Sequence, residues 1–280
     1  MSAGGDGGWR EVAAGVFQRR YDPVDVSVGA IVGPAGVVIV DTRNNPREGE
    51  EILRDAEEFG VPVVAAVNTH AHYDHSFGNQ AFAARGIPIY GHAGIAAHYE
   101  RFEGPRLTRV QADPGREPDK DWAGVHLTPP TVPVSAVTVL TAGGREIELQ
   151  PLPPGHTDTD LAVRVPDAAV WLLGDVIEQS GAPMFGSGSY PLRWGAALRG
   201  LLERIGPADV IVPGHGEVVD RAFVAEQARL LEEVAAMVRR AIEAGTPVDD
   251  VLPPDELAAY WPDWMLRSAL RAGSGSEMQK

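Results

Sequence analysis

Val63-Val64-Ala65-Ala66-Val67-Asn68-Thr69-His70-Ala71-His72-Tyr73-Asp74-His75 runs from an unbroken apolar segment straight into three imidazoles and a carboxylate. The apolar part reads as a strand, and a strand that opens into a tight loop aims several side chains at one point. Three of the chain's eight histidines lie here. Burying four coordinating groups side by side costs several kcal/mol unless something binds them, and a dication does so most simply. Imidazole and carboxylate at this spacing suit zinc or a similar divalent ion.

Working outward, 280 residues with 44% hydrophobic content can bury a sizeable core as one large or two small domains. Lysine and arginine number 24 against 39 acidic residues, a formal net charge of -15. An extended phosphate backbone would be repelled, so nucleic acid is not an expected partner, and a small molecule is. There is no cysteine, which removes thiolate nucleophiles and leaves nitrogen and oxygen as the only metal ligands. Met1 to Gly8 shows neither a basic segment nor an apolar core, and no later stretch reaches membrane-spanning length, so a cytoplasmic location is expected.

Strands alternate with helices along the chain. Residues 10–19, 24–32, 36–40, 63–67 and 87–90 read as strands, and 47–59, 77–85 and 94–102 as helices. Residues 103–133, with Pro105, Pro114, Pro118, Pro129, Pro130 and Pro133, read as a long surface loop, either a lid or a mobile excursion. Strands return at 136–140, 146–150, 161–165, 169–173 and 210–212, with helices at 192–204 and 221–243. Residues 1–245 are read as one domain. Residues 246–280 form a helical extension packed on it, with a helix near 264–271 and a disordered Gly-Ser tail. Oligomeric state leaves no readable trace.

Three further loops place a polar ligand after an apolar strand: Gly155-His156-Thr157-Asp158, Gly174-Asp175 and Gly214-His215. Singly each is a common turn pair. Jointly, two histidines and an aspartate at strand ends would complete a pair of metal sites. His92, His98 and His126 are not expected to be ligands.

The set His70-x-His72-x-Asp74-His75, Gly155-His156, Gly174-Asp175 and Gly214-His215, in that order, resembles the metallo-β-lactamase superfamily over roughly residues 10–245. The resemblance implies an α/β fold of the α+β kind, a four-layer αββα sandwich with a metal centre at one edge of the sheets. It implies that His70, His72 and His156 hold a first Zn2+, that Asp74, His75 and His215 hold a second, and that Asp175 bridges them. Asp41, Thr69 and Thr157 are candidates to accept hydrogen bonds from the far nitrogens of ligand histidines. Tyr190, or else Tyr73, is a candidate donor to a developing oxyanion, and Asp74 to orient the water. Arg193 and Trp194 are candidates to line a substrate pocket, Trp194 with the alternative of lying in the core.

Two dications sharing a water lower its pKa toward neutrality and supply a hydroxide nucleophile, so the expected enzyme is a dinuclear zinc hydrolase of a small ester, lactone, thioester or amide. Many β-lactamases of the superfamily carry Cys or Ser where Asp175 stands, so this chain resembles the branches with a bridging aspartate more closely. An acidic C-terminal region weakens a glutathione-thioester substrate, and His72 favours zinc over a redox di-iron site. The alternatives are a mononuclear iron oxygenase resembling persulfide dioxygenases, β-lactamase action as a side activity, and a non-catalytic metal-binding module.

Overall fold

The computed structural model describes residues 7–277. Strands β1 (Arg10–Ala13), β2 (Val16–Tyr21), β3 (Val26–Gly33), β4 (Gly36–Val40), β5 (Val63–Val67), β6 (Ile89–His92) and β7 (Val132–Val134) pair in chain order. They are antiparallel as far as β4 and parallel beyond it. Strands β8 (Thr138–Ala142), β9 (Arg145–Pro151), β10 (Leu161–Val165), β11 (Val170–Glu178) and β12 (Val210–His215) form a second sheet, antiparallel except for the β11–β12 pair. One backbone pair, Val26 with His215, joins the halves.

Period-two alternation decides which side chains meet. Val38 and Val40 of β4 face an inter-sheet layer with Leu149, Val163, Val170 and Leu172, whereas Val37 and Ile39 face Ile52 and Phe82 on the helices outside. On β11, Val170 and Leu172 turn to the same inter-sheet layer, and Trp171 and Leu173 turn outward. The result is four layers. Each such fully buried Val or Leu contributes about 1.5–3 kcal/mol over its exposed state.

Helices α1 (Pro46–Asp55), α2 (Tyr73–Ser76), α3 (Asn79–Ala83), α4 (Ile95–His98) and α5 (Gly104–Ala112) belong to the first half. Asn45 caps α1, its side chain accepting from Glu48 N at 3.0 Å. Helices α6 (Trp194–Leu202), α7 (Arg221–Ala244), α8 (Asp255–Tyr260) and α9 (Asp263–Glu277) cover the second sheet. Leu257, Met265, Leu266, Ala269 and Leu270 of the C-terminal segment enter the same core as Trp194 and Val234.

Several sequence expectations are corrected. Residues 103–133 do not form one long loop: α5 occupies 104–112, and Leu107, Val110, Trp122 and Val125 bury against Phe77 and Tyr99. Pro105 is compatible because it sits in the first helical turn, where a missing N–H loses no bond. Gln111 then ties the returning chain by donating to Trp122 O and Val125 O, each at 3.0 Å. The expected strand over 10–19 splits at Gly15, which takes φ 69°. Helix α9 runs to Glu277 rather than ending near Arg271, so Gly273 and Gly275 are helical, and residues 278–280 of the expected tail lie outside the described residues. Strands β11 and β12 extend beyond 173 and 212, so Asp175 and His215 lie inside strands rather than after them.

Candidate metal centre

Parallel pairing of β4 with β5 and of β11 with β12 brings the carboxyl ends of these strands to one edge, where side chains from successive connections can converge. All seven expected ligands meet there. His70 and His72 approach His156 and Asp175, and Asp74 and His75 approach His215, with one potential ligand atom from each residue lying within 4.8 Å of the others in its group. The two groups share Asp175. Its Oδ2 lies 3.8 Å from His70 Nε2 and 3.5 Å from His156 Nε2, while its Oδ1 lies 3.0 Å from His75 Nε2 and 3.4 Å from His215 Nε2.

Nitrogen faces nitrogen in both groups: His156 Nε2 and His72 Nδ1 are 2.9 Å apart, and His75 Nε2 and His215 Nε2 are 3.3 Å apart. His70 Nε2 and Asp175 Oδ1 are buried without a hydrogen-bond partner. Two buried polar atoms left unbonded where imidazoles and carboxylates converge fit a cation between them, because orphaned buried polar atoms are otherwise costly. Nitrogen and carboxylate oxygen in threes, with a shared carboxylate, match the donor set of zinc and neighbouring divalent metals.

The far side of each ring is held by the protein. His75 Nδ1 donates to Asp41 Oδ2 at 2.8 Å, and Asp41 also accepts from Thr69 N at 2.7 Å and Thr69 Oγ1 at 2.8 Å. Because that hydroxyl's proton goes to Asp41, Thr69 Oγ1 accepts from His70 Nδ1 at 3.1 Å. His215 Nδ1 donates to Val24 O at 2.8 Å. His72 presents Nδ1 to the site, and its Nε2 donates to Ser187 O at 3.0 Å; Ser187 Oγ in turn donates to Glu103 Oε1 at 2.7 Å. Thr157 holds no ligand ring. Its backbone N–H and hydroxyl donate to buried Asp160, at 2.6 Å from the hydroxyl, and so brace the loop that carries His156.

The glycines of the paired motifs have a packing reason. A Cβ at Gly214 would collide with Asp175 Oδ1, and one at Gly174, which has φ 56°, would collide with the Thr69 hydroxyl.

Charge divides the two groups. Burial, followed by the charge of His75, holds the His70 pKa well below its usual range, and burial brings that of His156 down to about 3. Burial also pushes His75 and His215 down, but Asp175 together with Asp41 and Asp74 at His75, and with Asp74 at His215, overrides it and raises both well above the usual range. Burial would raise Asp74, yet His75 and His215 bring it down to about 2.

Sequence reasoning missed two acids. Glu178 is buried beside His215 and Asp175 and lines the metal-facing cavity; burial pushes its carboxyl up to about 7. Regular alternation would put residues 175 and 178 on opposite faces, but the β11–β12 ladder slips between Gly174 and Glu178 and brings both acids round. Glu103 ends a π-helical turn spanning Tyr99–Glu103, a local irregularity with no single-residue signature.

The cavity in front of the cluster measures about 530 Å3 and is walled by Tyr73, Arg106, Met184, Ser187 and Trp264 among others. Tyr190 lines a neighbouring cavity rather than this one. Trp194 lies in the core, its Nε1 donating to Val176 O at 3.1 Å. His92 Nδ1 accepts from Gly94 N and His126 is exposed. His98 is buried behind His72, bonded through Nδ1 to Asp158 at 2.6 Å.

A family model described as the metallo-β-lactamase superfamily matches residues 21–215, more than half of the chain. The chain belongs to the metallo-β-lactamase superfamily. It is 25% identical over 228 residues to a metallo-β-lactamase type 2 of Bacillus cereus, covering 80% of this chain and 79% of that protein. It is 30% identical over 169 residues to a hydroxyacylglutathione hydrolase of Rhodospirillum rubrum, covering 60% of this chain and 54% of that one. Among solved structures, the metallo-β-lactamase from Pontibacter korlensis superposes with TM-score 0.64 at 21% identity over 80% of this chain and 98% of its own. A double mutant of the sec-alkyl sulfatase PisA1 superposes with TM-score 0.75 at 20% identity, covering 97% of this chain and 50% of that one. These likenesses support the expected αββα fold, and no helix among the described residues is long and apolar enough to cross a membrane.

Proposed function

We propose that this metallo-β-lactamase-superfamily protein is a dinuclear zinc hydrolase of a small ester, lactone, thioester or amide. The observation that carries the reading is Asp175, whose two oxygens face two different groups of ligands. That arrangement favours two metals over the single-iron oxygenase, which has use for the first group alone. Two dications held there would supply a deprotonated water at neutral pH and polarise the bond to be cleaved.

The chain's own residues do the rest. His70, His72, His156 and Asp175 fix one side of the centre, and Asp74, His75, His215 and Asp175 fix the other. Asp74, held ionised by His75 and His215, orients the attacking water from its place among the second group. Tyr73 lines the cavity, and burial followed by the charge of Asp74 raises its hydroxyl pKa, keeping it a neutral donor for a developing oxyanion. Tyr190, facing the neighbouring cavity, is left without that role. Met184 and Trp264 give the mouth an apolar wall, partly exposed, against which a substrate's carbon skeleton packs.

The test is elemental analysis of metal per chain, followed by assay of the same preparation against a β-lactam, an acyl-homoserine lactone, a lactoyl thioester and a phosphodiester. Two zinc ions with turnover of the lactone or thioester is the expected result. One iron per chain with oxygen consumption would replace the reading with the oxygenase.

A further inference from the structure

A second cavity of about 670 Å3 adjoins the first, and Gly186 and Ser187 line both. Arg193, Arg239 and Arg271 line it together with Arg101, which has a partner of its own, and none of the described residues lining it carries a carboxylate. In a chain with a net charge of -15, this concentration of guanidinium is a local reversal of sign. Arg239 Nη2 donates to Leu192 O at 2.9 Å, and Arg193 leans over the Tyr190 ring at 5.9 Å. Arg271 has an acidic neighbour, Asp249, at 3.8 Å, where both side chains are largely exposed and screening leaves little attraction.

A second observation points the same way. Ser189 lines the cavity and is only 7% exposed, yet its hydroxyl has no hydrogen-bond partner. A buried hydroxyl without a partner, in the wall of a cavity that several guanidinium groups also line, has a proton to donate to an oxygen of a bound anion.

We propose that this cavity binds the anionic group, carboxylate, sulfate or phosphate, of a small organic acid whose remainder reaches the metal centre past Gly186 and Ser187. The link to the metal centre rests on the hydrolase reading above; the anion site itself does not. The site also revises the expectation drawn from the acidic C-terminal region, because Arg271 of α9 turns into the cavity's wall.

Arg193 and Arg239 are exposed, so replacing them leaves the core untouched. Zinc-loaded protein is titrated calorimetrically with sulfate at constant ionic strength. Saturable binding is expected for the parent, weakened about tenfold or more in R193Q/R239Q and less in R193K/R239K. No saturable binding by the parent, or equal binding by the glutamine variant, would overturn the site. In parallel, kcat/KM is compared for 4-nitrophenyl acetate and the mono-4-nitrophenyl ester of glutaric acid. The parent should prefer the anionic ester by about tenfold, with the ratio falling toward one in R193Q/R239Q. Equal turnover of the two esters by the parent would overturn the link to the metal centre. Turnover of neither, with sulfate binding intact, would refute the hydrolase reading and leave the anion site standing.

Discussion

The two halves of the candidate metal centre are built from similar residue types and behave differently. On the first side, burial keeps His70 and His156 neutral, ready to offer lone pairs. On the second, three carboxylates, Asp41, Asp74 and Asp175, hold protons on His75 and His215. Burial pushes all four imidazoles down, and the acids packed around His75 and His215 are what carry those two the other way. The second side is also richer in oxygen, with Asp74 and the adjacent Glu178 in place of a third histidine.

The severest way to break the comparison is to remove what the two sides share. Asp175→Ala should lower metal content on both sides and reduce turnover by more than about 100-fold, because loss of an outer partner alone costs about 10–100-fold. Metal analysis and kcat/KM check it, and near-parental activity would remove the bridging role.

The next test separates the sides by their outer partners. Asp41→Asn replaces the acceptor for His75 Nδ1 with a group that can also present a donor, so affinity should fall on the second side by about 10–100-fold, and by less on the first, which Asp41 reaches through Thr69 and His70. Glu103→Gln, at a residue hydrogen-bonded to His72 through Ser187, should weaken the first side by about tenfold or less. Competition with a chelator, followed by cobalt absorption at each step, reads both without any assay of turnover.

A subtler contrast lies in protons. The raised pKa values of His75 and His215 mean that in the metal-free protein both hold a proton to higher pH than His70 or His156, and each must lose it to ligate. Apparent affinity on the second side should therefore rise with pH, by up to about tenfold per pH unit for each proton released, until the pH exceeds those pKa values. Binding by His70 and His156 should release none. Calorimetry in buffers of different ionisation enthalpy counts the protons at each step, and equal release in both would erase the distinction.

Local sequence carried the first part of the site well. His70, His72, Asp74 and His75 follow one strand within six positions, and their spacing alone holds them together. His156, Asp175 and His215 were legible only as a set, because each sits in a Gly-containing pair indistinguishable from an ordinary turn. The glycines are explained by collisions with Asp175 and Thr69 that no linear reading contains. Glu178 was hidden because strand alternation assigns it to the wrong face, and the slip in the β11–β12 ladder that corrects this is a property of two strands together.

Residues 103–133 failed for a related reason. Six prolines and several charges resemble a loop, yet Pro105 fits a first helical turn, and Trp122 and Val125 find an apolar partner only once Phe77 and Tyr99 are in place. The sequence by itself determined the alternation of strands and helices, the αββα layering implied by its motif set, and which imidazoles and carboxylates are candidates to hold metal, because periodicity and ligand chemistry are local. Tertiary structure alone decided which imidazoles are pushed up in pKa and which down, which acids face the cavity, and that Arg193, Arg239 and Arg271 line one cavity with Ser189. Those properties depend on distances between residues far apart in the chain, and electrostatics responds to distance in space.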